Sequence, residues 1–223
     1  MDKELDEVDL SNYIAFFGCS FTVGIGLPLT YTFAYKSANQ LNVDYVNGAV
    51  SGSSCDYAFH NIVKLISTAK IKPKAIIINW PEITRTFYWK NNTMEFYLVN
   101  ADLGSYYWKN AYRAFLMEES HLYNRFEFIR STVKLLCSAF NIRLFEFTTY
   151  QSDLKTFLKK YPDIGFTHIV DQENKLDPTS VEYLNNFSAR DVLTKNGSHY
   201  GYHPGIYFHN QATKQIVEWF NNV

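Results

Sequence analysis

Cysteine is scarce in this chain, and Cys19, Cys55 and Cys137 are scattered. An odd, dispersed set with no CxxC pair excludes a disulfide framework and a zinc-finger spacing. It fits a reducing compartment. Net charge is almost absent: Lys+Arg 21 balance Asp+Glu 22, leaving -1. That removes any bulk electrostatic pull toward nucleic acid or an anionic membrane surface. No run is long and apolar enough to span a bilayer. The acidic start, Met1 to Asp9, has no apolar centre, which excludes a signal peptide and leaves a cytoplasmic setting as the expectation. No Gly-Lys-Ser/Thr phosphate loop is present. The pair Gly24 and Gly26 lacks a third glycine and meets Pro28, so a dinucleotide fingerprint is not made. There is no internal repeat and no low-complexity tract.

Apolar residues are plentiful. At 47% hydrophobic and 17% aromatic, 223 residues can bury one substantial core, and one domain spanning 1–223 is expected. Apolar runs alternate with helical patterns. Strands are predicted at Tyr13–Phe17, Val43–Val46, Ala75–Ile78 and Ile142–Phe147. Helices are predicted near Thr30–Leu41, Asp56–Ala69, 105–140, Asp153–Lys160 and Asn210–Phe220. In the 105–140 stretch Phe126, Phe128, Ile129, Val133, Leu136 and Cys137 supply an apolar face. In the last helix Ala212, Ile216, Val217 and Phe220 face inward. Each strand ends in a polar or glycine-containing loop, the grammar of a doubly wound parallel sheet with helices on both faces. In such sheets the strand-end loops converge on one crevice. The aromatic stretch at about 86–104 breaks this rhythm and reads as a hairpin insertion. Residues 163–186 read as polar and irregular.

The first crevice loop is Gly18-Cys19-Ser20-Phe21-Thr22. It puts Ser20 where a chain leaving a buried strand turns away. A nucleophile needs such a rigid perch, with its hydroxyl facing solvent. The same string suits a plain turn with Ser20 capping a helix, and Cys19 is a rival nucleophile. The second loop, Asn47 to Ser54, is rich in small residues. Near the C-terminus Asp191 precedes His199, His203 and His209. Spacing of four between His199 and His203 would suit a metal only on a helix, and Gly201, Pro204 and Gly205 argue against one there. A histidine base for Ser20, oriented by an aspartate, is the other reading.

The order of these blocks resembles the SGNH, or GDSL, hydrolase family, in a form similar to phage and bacterial members. Gly18-Cys-Ser-Phe-Thr22 looks like its first block, with Ser20 at the nucleophile position. Asn47-Gly-Ala-Val-Ser-Gly52 looks like the second, with Gly52 at the position of a backbone oxyanion donor. The segment from Asp191 to His203-Pro204 looks like the fifth. The resemblance spans most of the chain. It implies a three-layer, flavodoxin-like α/β/α sandwich that hydrolyses esters or acetyl groups without cofactor or metal. Two blocks depart from the pattern. Where the third block carries an oxyanion-binding Asn, counting puts Pro81, so Asn79 or a neighbouring backbone N–H is the candidate replacement. Asp191 and His203 are twelve apart instead of three, and His199 stands as the reserve base. The expectation is a serine esterase: Ser20, His203 and Asp191 catalytic, with Ser20 N–H, Gly52 N–H and Asn79 around the oxyanion. A small ester, such as O-acetyl on a carbohydrate, would be the substrate. The competing expectation is a non-catalytic module that binds a glycan or protein in the same crevice, and acyl transfer to another hydroxyl is a third. Oligomeric state is open.

Overall fold

Five parallel strands build the centre of the computed structural model, which describes residues 10–86, 118–149, 151, 153–166 and 204–222. β1, Tyr13–Phe17, is wholly inaccessible to solvent. It lies between β2, Asp44–Asn47, and β3, Ala75–Trp80. β4, Arg143–Thr148, follows β3, and β5, Gly165–Phe166, completes the order β2-β1-β3-β4-β5. A strand covered on both faces has no solvent side to place polar residues on, which is why β1 and most of β3 read as unbroken apolar runs. The order reverses between β1 and β3. In this flavodoxin-like arrangement that gap is the switch point, where strand-end loops diverge and leave a crevice.

Side chains alternate across the sheet. Tyr13, Ala15 and Phe17, with Ile76, Ile78 and Trp80, pack on α3 (Cys55–Thr68) and α4 (Glu119–Ala139). Ile14, Phe16, Ala75, Ile77 and Phe147 face α2 (Phe33–Leu41) and α6 (Ile206–Asn222). The two short helices are α1, Ser20–Val23, and α5, Leu154–Lys160. Caps set several helix starts. The side chains of Thr32, Ser54 and Asp153 each accept a backbone N–H three residues on, a position where an oxygen satisfies one of the orphaned first-turn donors. The three-layer α/β/α sandwich expected from the sequence is the fold observed. Among the described residues, no helix is long and apolar enough to cross a membrane.

Differences from the sequence reading are local. Thr32 caps α2, so the helix opens at Phe33 and a 3-10 turn, Leu29–Tyr31, precedes it. β3 runs two residues past Ile78, because Asn79 and Trp80 still pair with Phe147 and Thr148. The span read as irregular contains β5, whose Gly165 and Phe166 pair with Phe147 and Thr148. α6 begins at Ile206 rather than Asn210, with Phe208, Ala212 and Ile216 forming its buried stripe. Val217 and Phe220 are only half-buried. Phe128 is 68% exposed. It lies two residues from buried Phe126, about 200° around the helix, so one face cannot hold both. The aromatic insertion at 87–104 and the helix read over 105–117 lie outside the described residues.

Candidate active site

The site grows from the end of β1. Gly18 has φ +151, and a methyl group on it would lie 2.7 Å from the carbonyl oxygen of Asn79 and against the hydroxyl of Thr22. Only a residue without Cβ lets these backbones approach so closely. The Gly18 carbonyl accepts the Val50 N–H at 3.2 Å, and Gly48 N–H donates to the Phe16 carbonyl at 2.8 Å. The segments following β1 and β2 and the end of β3 therefore meet at one glycine, beside the switch point.

Ser20 is the first residue of α1, directly after Cys19. The Cys19 carbonyl accepts from Thr22 and Val23 N–H, and the Ser20 carbonyl accepts from Gly24 N–H at 3.0 Å. Cys19, not Ser20, occupies the cap position, and its side chain makes no cap bond. Ser20 is 7% exposed, so the expectation of a solvent-facing serine is corrected: the residue is buried at the crevice edge. It is lodged there because α1 folds back over Gly18, with Thr22 1% exposed beneath it. Of the thiols, Cys55 is buried, donates to the Pro81 carbonyl at 3.3 Å, and is pushed well up, first by burial and then by the charge of Asp56. Cys137 is pushed up to about 12, again mainly by burial. Thiols held protonated in this way are inert as nucleophiles.

Gly52 has φ +77, a backbone state that glycine adopts at little cost. It sits in the turn closed by Ser53 N–H on the Val50 carbonyl, one turn before α3. Across the switch point, Asn79 is 2% exposed. Its Oδ1 accepts the Thr149 hydroxyl at 2.9 Å, while its Nδ2 has no hydrogen-bond partner among the described residues and is closed to solvent. The segment after β3 is braced from two sides. Gln151 Oε1 accepts Ile83 N–H at 3.0 Å and its Nε2 donates to the Pro81 carbonyl at 3.0 Å. Arg125 donates to the carbonyls of Ile83 and Arg85 at 2.6 and 2.9 Å. Sequence reasoning did not single out Thr149, Gln151 or Arg125. The one signal was two threonines closing an apolar strand.

Asp191, His199 and His203 lie outside the described residues. The chain re-enters description at Pro204, which is buried and leads into α6. There His209 Nδ1 accepts the Phe33 N–H at 3.0 Å, and its ring stacks on Phe33 with centroids 5.4 Å apart. The same ring's Cε1 lies 3.6 Å from where a Cβ on Gly24 would stand. The start of α6 is therefore anchored beside the end of the Ser20 helix. His209 itself is pushed down to about 3, by burial first and by the nearby Lys36 charge second. It is held neutral, with Nδ1 already occupied by a backbone donor. No cluster of three or more His, Cys, Asp or Glu capable of holding a metal occurs among the described residues.

No known family profile matches the chain, and no curated protein matches it. Solved structures do. One is a carbohydrate esterase whose active site displays divergent catalytic and non-catalytic binding functions. It is 15% identical over 97% of this chain and 66% of its own, with a TM-score of 0.52. This chain thus spans about two thirds of that protein. Another is a protein of the lipolytic G-D-S-L family from Desulfitobacterium hafniense, 9% identical over 93% of this chain and 99% of its own, at a TM-score of 0.50. At such identities the likeness speaks for architecture alone, and that architecture, a 2-1-3-4-5 parallel sheet between helical layers, is the fold of the SGNH/GDSL hydrolases.

Proposed function

We propose that this protein is a serine ester hydrolase with Ser20 as nucleophile. The observation that carries the reading is the junction at Gly18, where the Ser20 turn, the loop bearing Gly52 and the end of β3 bearing Asn79 come together at the switch point. Ser20 Oγ attacks the acyl carbon as His203 takes its proton, with Asp191 orienting the imidazole. The backbone N–H groups of Ser20 and Gly52, with the Asn79 amide, stabilise the oxyanion. The alcohol leaves with the proton from His203. Water, deprotonated by the same histidine, then releases the acid and restores Ser20. His199 is the reserve base. A small acyl group, such as acetyl on a carbohydrate hydroxyl, is the proposed substrate. The carbohydrate esterase of like fold supports that class. Three free, buried cysteines suit work in a reducing compartment such as the cytoplasm.

A second reading, a glycan- or protein-binding module on the same fold, draws on two observations: Ser20 is 7% exposed, and Pro81, which has no N–H to donate, stands where the third-block Asn is expected. A fluorophosphonate probe separates the two. Labelling of the wild type that is lost in Ser20→Ala, together with acetate release from acetylated sugars abolished by His203→Ala, supports the esterase. No labelling and no acetate release supports the module. Loss only in His199→Ala reassigns the base.

A further inference from the structure

We propose that Thr149 is a positioning residue: its hydroxyl holds the Asn79 amide with Oδ1 turned away and Nδ2 presented to the oxyanion. The inference rests on the ester-hydrolase reading and extends it to a residue that no sequence block contains. Asn79 is the last but one residue of β3, and its backbone is fixed by pairing with Phe147 of β4. Its side chain keeps two soft torsions, so strand pairing alone does not decide which end of the amide faces the crevice. Thr149 decides it. The 2.9 Å bond from Thr149 Oγ1 occupies Asn79 Oδ1.

What remains is a buried amide nitrogen with two protons and no acceptor among the described residues. Buried donors are rarely left unpaired, and those that are call for a reason. A negative charge developing next to the Gly18 turn supplies one. It would satisfy a donor that is unpaired at rest, which is the differential binding a transition state needs. The reversed amide would point its oxygen at the oxyanion and repel it. Donation into Oδ1 also polarises the amide and strengthens its N–H as a donor. The rest of this strand end serves the same placement. Gln151 Nε2 donates to Thr148 Oγ1 at 3.0 Å as well as to the Pro81 carbonyl, and Thr148 Oγ1 donates to the Trp80 carbonyl at 3.2 Å. The backbone on the C-terminal side of Asn79 therefore cannot drift from β4.

The test uses the full chain, p-nitrophenyl acetate as substrate, and the variants Thr149→Val, Thr149→Ala and Thr149→Ser, each alone and combined with Asn79→Ala. Removing one oxyanion donor costs about 100- to 1,000-fold in turnover. Thr149→Val and Thr149→Ala should each lower kcat at least about tenfold with KM within about twofold, a fraction of that loss. Thr149→Ser, which keeps the hydroxyl, should stay within about threefold of wild type. In the Asn79→Ala background none of the three should lower kcat further, because the two residues act as one unit. Unchanged kcat in Thr149→Val and Thr149→Ala overturns the proposal, as does a loss that persists in full without Asn79. The alanine variant carries the same comparison if valine does not fold. A wild type that neither hydrolyses the ester nor takes the fluorophosphonate defeats the hydrolase reading itself, and this inference with it.

Discussion

Replacing Gly18 by alanine tests the idea that one bare Cα holds three strand ends together. The added methyl meets two obstacles that cannot yield cheaply. One is the Asn79 carbonyl oxygen at 2.7 Å, part of a backbone locked in the β3–β4 ladder. The other is the hydroxyl of Thr22, a residue 1% exposed inside α1. In addition φ +151 is a region that L-residues rarely adopt, which costs about 1–3 kcal/mol. Forcing a methyl into a closed contact costs about 1–3 kcal/mol more. The expected loss is about 2–6 kcal/mol, a large share of the roughly 5–15 kcal/mol that holds a domain folded. Urea unfolding followed by tryptophan fluorescence reads it, with the buried Trp80 as reporter. The midpoint should fall with an unchanged slope. Gly165→Ala is the internal control. Its methyl would find its nearest neighbours, the Glu146 carbonyl and Phe147 Cβ, at 3.3 Å, and the change should cost less than about 1 kcal/mol. A Gly18→Ala protein as stable as the Gly165→Ala protein would refute the close-approach argument.

The buried His209 makes stability depend on pH. Its pKa is about 3 when folded against 6.5 for the free side chain, so the unfolded chain binds a proton that the folded chain refuses. The stability is fully present above pH 6.5 and is lost as pH falls toward 3, at up to about 1.4 kcal/mol per pH unit. His209→Asn keeps an acceptor for the Phe33 N–H and should flatten this part of the denaturation profile between pH 6.5 and 4; an unaltered slope would assign it to other groups. Arg130 holds Glu146 through two bonds of 2.9 and 3.1 Å, both side chains 7% exposed. Arg130→Ala should cost about 1–3 kcal/mol, because the buried carboxylate keeps only the Trp80 indole N–H and the more distant Lys134, and pairing Arg130→Met with Glu146→Leu should recover part of the loss. Thermal and urea unfolding of the three proteins measures it, and an Arg130→Ala protein of wild-type stability would contradict the account.

The sheet was legible because burial on both faces leaves its mark on composition. Tyr13–Phe17 and the apolar part of β3 could hardly be anything other than central strands, and their alternation with helical patterns implied the parallel order. Where a polar residue belongs to the fold for a local reason, the sequence pattern misled. Asn79 ended the apolar run on paper, although the strand continues through it, because backbone pairing with Phe147 does not depend on what the side chain is. Phe128 joined the apolar face on composition alone, and helix geometry puts it in solvent. β5 is two residues long and was too short to leave a periodic signal. The site divides in the same way. Ser20 stood out by its place after a buried strand and Gly52 by the resemblance of its loop to a hydrolase block, and the structure puts the first at the start of α1 and the second at φ +77. Thr149 was not readable, since a hydroxyl that orients a neighbour across a sheet is one threonine among many until the register is known. That asymmetry bears on the altered third block. A proline in the usual donor position looks like a lost function when only positions are counted. Once β3 is seen to extend to Trp80, the residue two places earlier has its backbone carbonyl against Gly18 and its side-chain oxygen bonded to Thr149, and on the proposed reading its amide nitrogen is the donor that Pro81 cannot be.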